Sequence, residues 1–117
     1  MSISKLDHVY LSVKNLDRAI QFYESFLQMK TKHRFEDRWA DFDDGKGFYL
    51  GLYNPSYDGQ KYTTGNNVTI GFHTTNIEKE HARIKVLKPK TITDVMDVNF
   101  FMPYRFFQFE DTEGNVI

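Results

Sequence analysis

Polar and apolar residues alternate from Asp7 to Val13. His8, Tyr10 and Ser12 fall on one face of a strand, and Val9, Leu11 and Val13 on the other. Asn15 follows, where a helix cap belongs. Leu16, Ala19, Ile20, Phe22, Tyr23, Phe26 and Leu27 then recur at helical spacing and make one broad apolar stripe. The helix therefore covers the face of Val9, Leu11 and Val13. His8, Tyr10 and Ser12 are left on a face that the helix does not cover. Residues 30–35 form a polar strand candidate and 38–42 (RWADF) a second, with Asp43-Asp44-Gly45 as the turn that ends it. Residues 48–53 (FYLGLY) are dense in large apolar side chains and read as a strand. The first unit is thus β-α-β-β-β. Residues 54–67 hold Pro, Gly, Asn, Ser and Thr with little periodicity and read as a linker.

The pattern then begins again. Residues 68–74 (VTIGFHT) restart a strand, and Asn76 stands at a cap position. Ile77, Ile84 and Leu87 mark the buried side of a second, weaker helix, with His81 on that same side. Pro89 cannot continue the helix. Residues 91–95 and 105–109 (RFFQF) read as strands, 111–115 (DTEGN) as a turn, and Val116-Ile117 as the opening of a last strand. Ser12–Ile20 lies over His73–His81 at an offset of 61. Arg38–Gly47 lies over Arg105–Gly114 at an offset of 67, with Arg38/Arg105, Phe42/Phe109, Asp44/Asp111 and Gly47/Gly114 identical. Two matches in the same order, at equivalent places of the same unit, predict a duplicated module. The extra length falls near Pro89–Pro103, between helix and strand, where an insertion is tolerated.

Composition narrows the classes. The chain has 117 residues, enough for one domain with a real core, and 11 Phe and 7 Tyr to fill it. A net charge of −1 lacks the basic surplus of a nucleic-acid binder. There is no cysteine, which removes disulfides, zinc ribbons and thiol nucleophiles. The start, MSISKLDH, has no apolar signal segment, and no apolar run approaches the roughly 18 residues of a membrane span. The expectation is a soluble cytoplasmic domain without nucleic-acid or membrane partners.

DHVYLSVKNLDRAIQFYESFL, and the pairing of VTIGFHTTNIE with FQFEDTEGNVI, resemble the glyoxalase/bleomycin-resistance/dioxygenase superfamily, the vicinal oxygen chelate fold. With the duplication, the resemblance covers nearly the whole chain. It implies an α+β fold of two tandem βαβββ modules, here residues 1–53 and 68–117 joined by the linker 54–67. They form one domain, 1–117, whose curved mixed sheet surrounds a central cavity. The resemblance also implies a divalent ion held by the first and last strands of each module in catalytic members. His8 matches the first ligand position. Leu50, Gly51 and Leu52 offer no carboxylate at the second, and Thr69, opposite His8, is a poor ligand. The fourth position pairs with residue 118, one beyond Ile117, so the last strand reads as cut short.

His8 is therefore the only retained ligand position, and the expectation is no metal and no cofactor. The alternative is a divalent ion on non-standard ligands such as His8, His73 and Asp41. Trp39, Asp41 and Tyr49 are expected to face the cavity with Tyr10, as are Phe106, Gln108, Thr69 and His73 from the second module. These, with His8, form the candidate ligand site, a ring-rich wall suited to a small, partly aromatic molecule. His33 is expected on solvated surface and His81 at a helix edge. Asp43-Asp44 and Glu110-Asp111 read as turn carboxylates rather than acid/base pairs. Arg38 and Arg105 read either as clamps for an anion or as edge-strand charges. The leading expectation is a metal-independent small-molecule-binding protein, expected to be a homodimer. The alternatives are a metal-dependent lyase, isomerase or dioxygenase of the same superfamily, and an interaction domain with a filled cavity and a sheet edge that pairs with a partner.

Overall fold

The computed structural model describes residues 6–65, 68–99 and 103–117. Strand β1 (His8–Ser12), helix α1 (Leu16–Leu27), β2 (His33–Phe35), β3 (Trp39–Asp43) and β4 (Tyr49–Tyr53) build the first module. Its sheet runs β1-β4-β3-β2, with β1 parallel to β4 and the other neighbours antiparallel. The parallel pair is made possible by the crossover through α1. The Asn15 side chain caps α1 by accepting from the Arg18 N–H at 3.0 Å.

The strand pleat sends Leu11, Val13, Ala40, Phe42, Leu50 and Leu52 under α1, which returns Leu16, Ala19, Ile20, Tyr23 and Phe26. All are buried, and each large side chain among them contributes about 1.5–3 kcal/mol by leaving water. The opposite face of the sheet carries His8, Tyr10, Ser12, Tyr49, Gly51, Trp39, Asp41 and His33, in agreement with the alternation along each strand.

The second module keeps a capped helix followed by two strands, α2-β5-β6, with fewer ladders. Asn76 caps α2 (Ile77–Val86) as Asn15 caps α1, accepting from the Lys79 N–H at 3.1 Å. Ile84 is buried, while His81 sits at the edge, 2.8 Å from the Thr93 carbonyl. The expected strand at 91–95 gives only the Ile92–Phe109 bridge. The strand proper is β5 (Met96–Asn99), paired with β6 (Pro103–Phe106) as a two-stranded sheet. Residues 68–74 have strand alternation but form no strand. The backbone of 68–73 makes no hydrogen bond with another described residue, and a strand exists only where a neighbour receives its ladder. Phe109 and Ile117 exchange both backbone hydrogen bonds, at 3.2 and 2.8 Å, so Val116-Ile117 does open antiparallel to 109–110.

Among the described residues, three polar groups tie the modules together. Tyr23, wholly buried on α1, donates its hydroxyl to Asp111 at 2.5 Å; burial first, and then the Asp111 charge, pushes that hydroxyl far above the ordinary tyrosine range. Glu113 accepts from the N–H groups of Lys14 and Asn15 at 2.7 and 3.3 Å and from Arg18 Nη2 at 2.6 Å, a carboxylate at the positive end of α1. Arg83 of α2 donates to the Ser25 and Phe26 carbonyls, which are unpaired at the end of α1. Asp43, Asp44 and Asp111 hold turn N–H groups, as expected of turn carboxylates, whereas Glu110, expected to do the same, accepts from the Thr91 hydroxyl. The radius of gyration is 15.3 Å, against about 13 Å for a close-packed chain of this length, which matches the sparse ladders of the second half.

Candidate functional site: an aromatic cleft on the open sheet face

Register sets the geometry. Tyr10, Gly51, Asp41 and His33 stand in one row across β1, β4, β3 and β2; Ser12, Tyr53, Trp39 and Phe35 stand in the next. Gly51 has no side chain, and the Trp39 ring lies in the space it leaves. A Cβ at Gly51 would collide with that ring and come within 2.9 Å of Tyr10 Cβ. Asp41, only 8% exposed, fixes the indole by accepting from Trp39 Nε1 at 3.0 Å. Its other oxygen takes the His33 N–H at 3.2 Å and lies 3.0 Å from His33 Nδ1. The His33 side chain is 61% exposed, on the surface as expected, and is held there by a buried carboxylate.

Around Trp39 the rings follow one another. Tyr10 meets it edge-on at 5.6 Å and meets Tyr53 at 5.8 Å; His8 stacks on Tyr10 at 6.2 Å; Tyr62 meets Tyr53 at 5.9 Å. Apart from the stacked His8–Tyr10 pair these are edge-to-face arrangements, which aromatic quadrupoles favour. Between Tyr10, Trp39, Tyr53 and Tyr62 opens a shallow cleft of about 530 Å³, lined also by Arg38, Asp58 and Gln60. Arg38 lies over the Tyr53 ring at 5.5 Å and pairs with Asp58 at 2.8 Å. Asp58 also accepts from the Tyr53 hydroxyl at 2.7 Å. That hydrogen bond, with Arg38 helping, holds the Asp58 carboxyl below its usual range, and the same bond pushes the Tyr53 hydroxyl up.

The candidate residues divide between two places. His8, Tyr10, Trp39, Asp41 and Tyr49 share the open face of the first sheet. Thr69, His73, Phe106 and Gln108 line a larger cleft of about 1440 Å³ between the second module and the end of α1, and the two clefts share no lining residue. Tyr53, Asp58, Gln60 and Tyr62 were not singled out by the sequence. Tyr53 is the next inward residue after Gly51, so its position was readable. The other three come from the stretch read as a linker, where Pro55–Asp58 form a 3-10 helix capped by buried Asn54. Arg38 and Arg105 are both already paired, Arg38 with Asp58 and Arg105 with Asp97 and Glu78.

His8 Nδ1 lies 2.8 Å from the Asp7 carboxylate, Asp41 serves His33 and Trp39, and His73 lines the other cleft. Among the described residues no three His, Cys, Asp or Glu side chains converge as metal ligands. The donor set present does not fit a divalent ion.

A family model described as glyoxalase/bleomycin resistance protein/dioxygenase superfamily matches residues 5–117. Solved structures with the same arrangement include a virulence protein from Salmonella typhimurium, 19% identical over 100% of this chain and 95% of that one, with a TM-score of 0.75. A lactoylglutathione lyase from Agrobacterium tumefaciens is 14% identical over 99% and 92%, also at 0.75. An integron cassette protein from V. cholerae is 24% identical over 100% and 94%, at 0.68. At these identities the likeness is one of fold. No curated protein matches the sequence.

Proposed function

The chain belongs to the glyoxalase/bleomycin resistance protein/dioxygenase superfamily, and from that premise we propose that it is a metal-independent member that binds a small, partly aromatic molecule. The observation that carries this reading is the ring-walled cleft beside Trp39. Trp39 is pinned by Asp41, and Tyr10, Tyr53 and Tyr62 present their remaining faces and edges to the space between them. Such a wall binds planar ligands by area burial and stacking and asks for few directional contacts. Specificity falls to the rim, where the Arg38–Asp58 pair and the Tyr53 hydroxyl offer both donors and an acceptor. Superfamily membership alone does not settle chemistry, because one fold hosts many reactions.

Trp39 is the only tryptophan, so it reports directly on its own cleft. Titration with a library of planar aromatic compounds is expected to quench or shift its fluorescence and to raise the melting temperature in a saturable way. Tyr53→Ala should weaken the same ligands about tenfold or more, by loss of one stacking wall. A library that leaves both readouts unchanged rules the reading out. So does a stoichiometric divalent ion in the purified protein that is lost on His8→Ala, which would favour a metal-dependent lyase, isomerase or dioxygenase.

A further inference from the structure

The rim of the aromatic cleft has hydrogen-bonding capacity left over. Arg38 Nε and the Tyr53 hydroxyl both donate to one oxygen of Asp58, Oδ2, at 2.8 and 2.7 Å. The other oxygen, Oδ1, and the two Arg38 Nη groups make no hydrogen bond with another described residue. A guanidinium carries its N–H donors in a rigid planar fork, and a carboxylate oxygen has two lone pairs. Most of the Arg38 fork is therefore open, beside an open acceptor.

These groups are also held in place. The guanidinium lies over the Tyr53 ring at 5.5 Å. The Asn54 N–H donates to the Arg38 carbonyl at 2.9 Å. Buried Asn54 caps the 3-10 turn that carries Asp58, accepting from the Ser56 N–H at 3.2 Å. The Tyr53 hydroxyl, first, and then Arg38 hold the Asp58 carboxyl below its usual range, so it remains an acceptor. A rim fixed before binding gives up little freedom when a ligand arrives.

Charge narrows the ligand. Among the described residues that line the cleft only Arg38 and Asp58 are charged, and their charges cancel. An anion meets the Asp58 carboxylate and a cation meets the Arg38 guanidinium, so a neutral group suits the pair best. It must accept from Arg38 and donate to Asp58. A hydrocarbon, ether or ketone cannot do both. An amide closed into a planar ring can, because its N–H and C=O lie side by side on one edge. The ring faces stay apolar for Trp39 and Tyr62.

We propose that the cleft selects neutral planar heterocycles with a cyclic-amide edge, the carbonyl accepting from Arg38 Nη and the N–H donating to Asp58 Oδ1. This rests on the aromatic cleft being the binding site and names the chemical class that its rim chooses.

The probes are isoquinolone, its N-methyl derivative and naphthoate, three fused-ring compounds of similar area, titrated calorimetrically into the full chain. Isoquinolone is expected to bind at least tenfold more tightly than either of the others. The methyl group removes the donor and leaves Asp58 Oδ1 covered but unpaired, and naphthoate brings an uncompensated charge. In Asp58→Ala the preference for isoquinolone over its N-methyl derivative should vanish. The comparison of the three probes needs no variant, so it stands even where Asp58→Ala fails to fold. Equal binding of all three overturns this inference and leaves the aromatic binding site intact. Tighter binding of naphthoate overturns it as well, and makes the rim an anion clamp. If none of the three binds, the inference falls; if the wider aromatic library also leaves Trp39 unchanged, the binding site falls with it.

Discussion

The two modules carry one pattern and reach different degrees of closure. In the first, β4 has a neighbour on each side, and the sheet is continuous from β1 to β2. In the second, 68–74 and 103–109 have the same alternation and the same capped helix beside them, but the described residues hold only a hairpin and two isolated bridges. Alternation therefore states which face a residue will take. Whether the segment becomes a strand depends on a partner for its backbone. The comparison also locates the mechanical ties, since Asp111, Glu113 and Arg83 of the second half all end on α1 of the first.

The largest expected effect separates two residues that the repeat makes equivalent. Asp111 is 1% exposed and serves Tyr23, Asn115 and two turn N–H groups. Asp111→Ala strands those buried donors and should cost about 3 kcal/mol in urea unfolding. Asp44 is exposed and holds the Lys46 N–H, so Asp44→Ala should cost under about 1 kcal/mol. Equal losses would mean that the burial of the second turn contributes nothing.

Glycines give the next contrast. At Gly51 an added methyl meets Trp39 and Tyr10, and overpacking of this kind costs about 2 kcal/mol. At Gly71 nothing stands within 4 Å, so Gly71→Ala should change stability by less than about 0.5 kcal/mol. The Trp39 emission maximum should move only in the Gly51→Ala variant.

Arg83→Ala removes two charge-assisted bonds to α1 carbonyls and should cost about 1.5 kcal/mol by the same unfolding measurement. The smallest effect is in pH. Burial works against the Glu113 charge, but the Lys14 N–H and the Arg18 guanidinium outweigh it, and the carboxyl sits below its ordinary value. A depressed carboxyl contributes stability that is fully present above the unfolded value and disappears as pH falls through the folded one. The melting temperature should therefore drop on acidification below about pH 4.5. Glu113→Gln should flatten that limb by lowering the melting temperature above it, and should match the unsubstituted protein at the acid end, where Glu113 is protonated.

Much of this was legible in the sequence, for identifiable reasons. The faces of β1, β3 and β4, the stripe of α1 and both asparagine caps follow from local spacing, and the offsets of 61 and 67 expose the duplication. The His33–Asp41 contact was not legible, because it depends on which residue of β2 stands opposite Asp41, and strand spacing says nothing about register across a gap. Gln60 and Tyr62 were missed because aperiodic composition marks a loop without saying where the loop lies. Strand β5 was expected too early, at 91–95. The hairpin register with β6 decides its place, and the apolar run alone does not.

The tyrosine on α1 bonds to an aspartate 88 positions later in the chain. A ribosome adding about 5–20 residues per second needs roughly 4–18 seconds to cover that distance. Once β3 and β4 have followed, the nascent helix can rest on them and β1, with its Tyr23 hydroxyl still hydrated. The hydroxyl is sealed only when the 111–115 turn arrives, so that turn acts as the latch on a half already assembled.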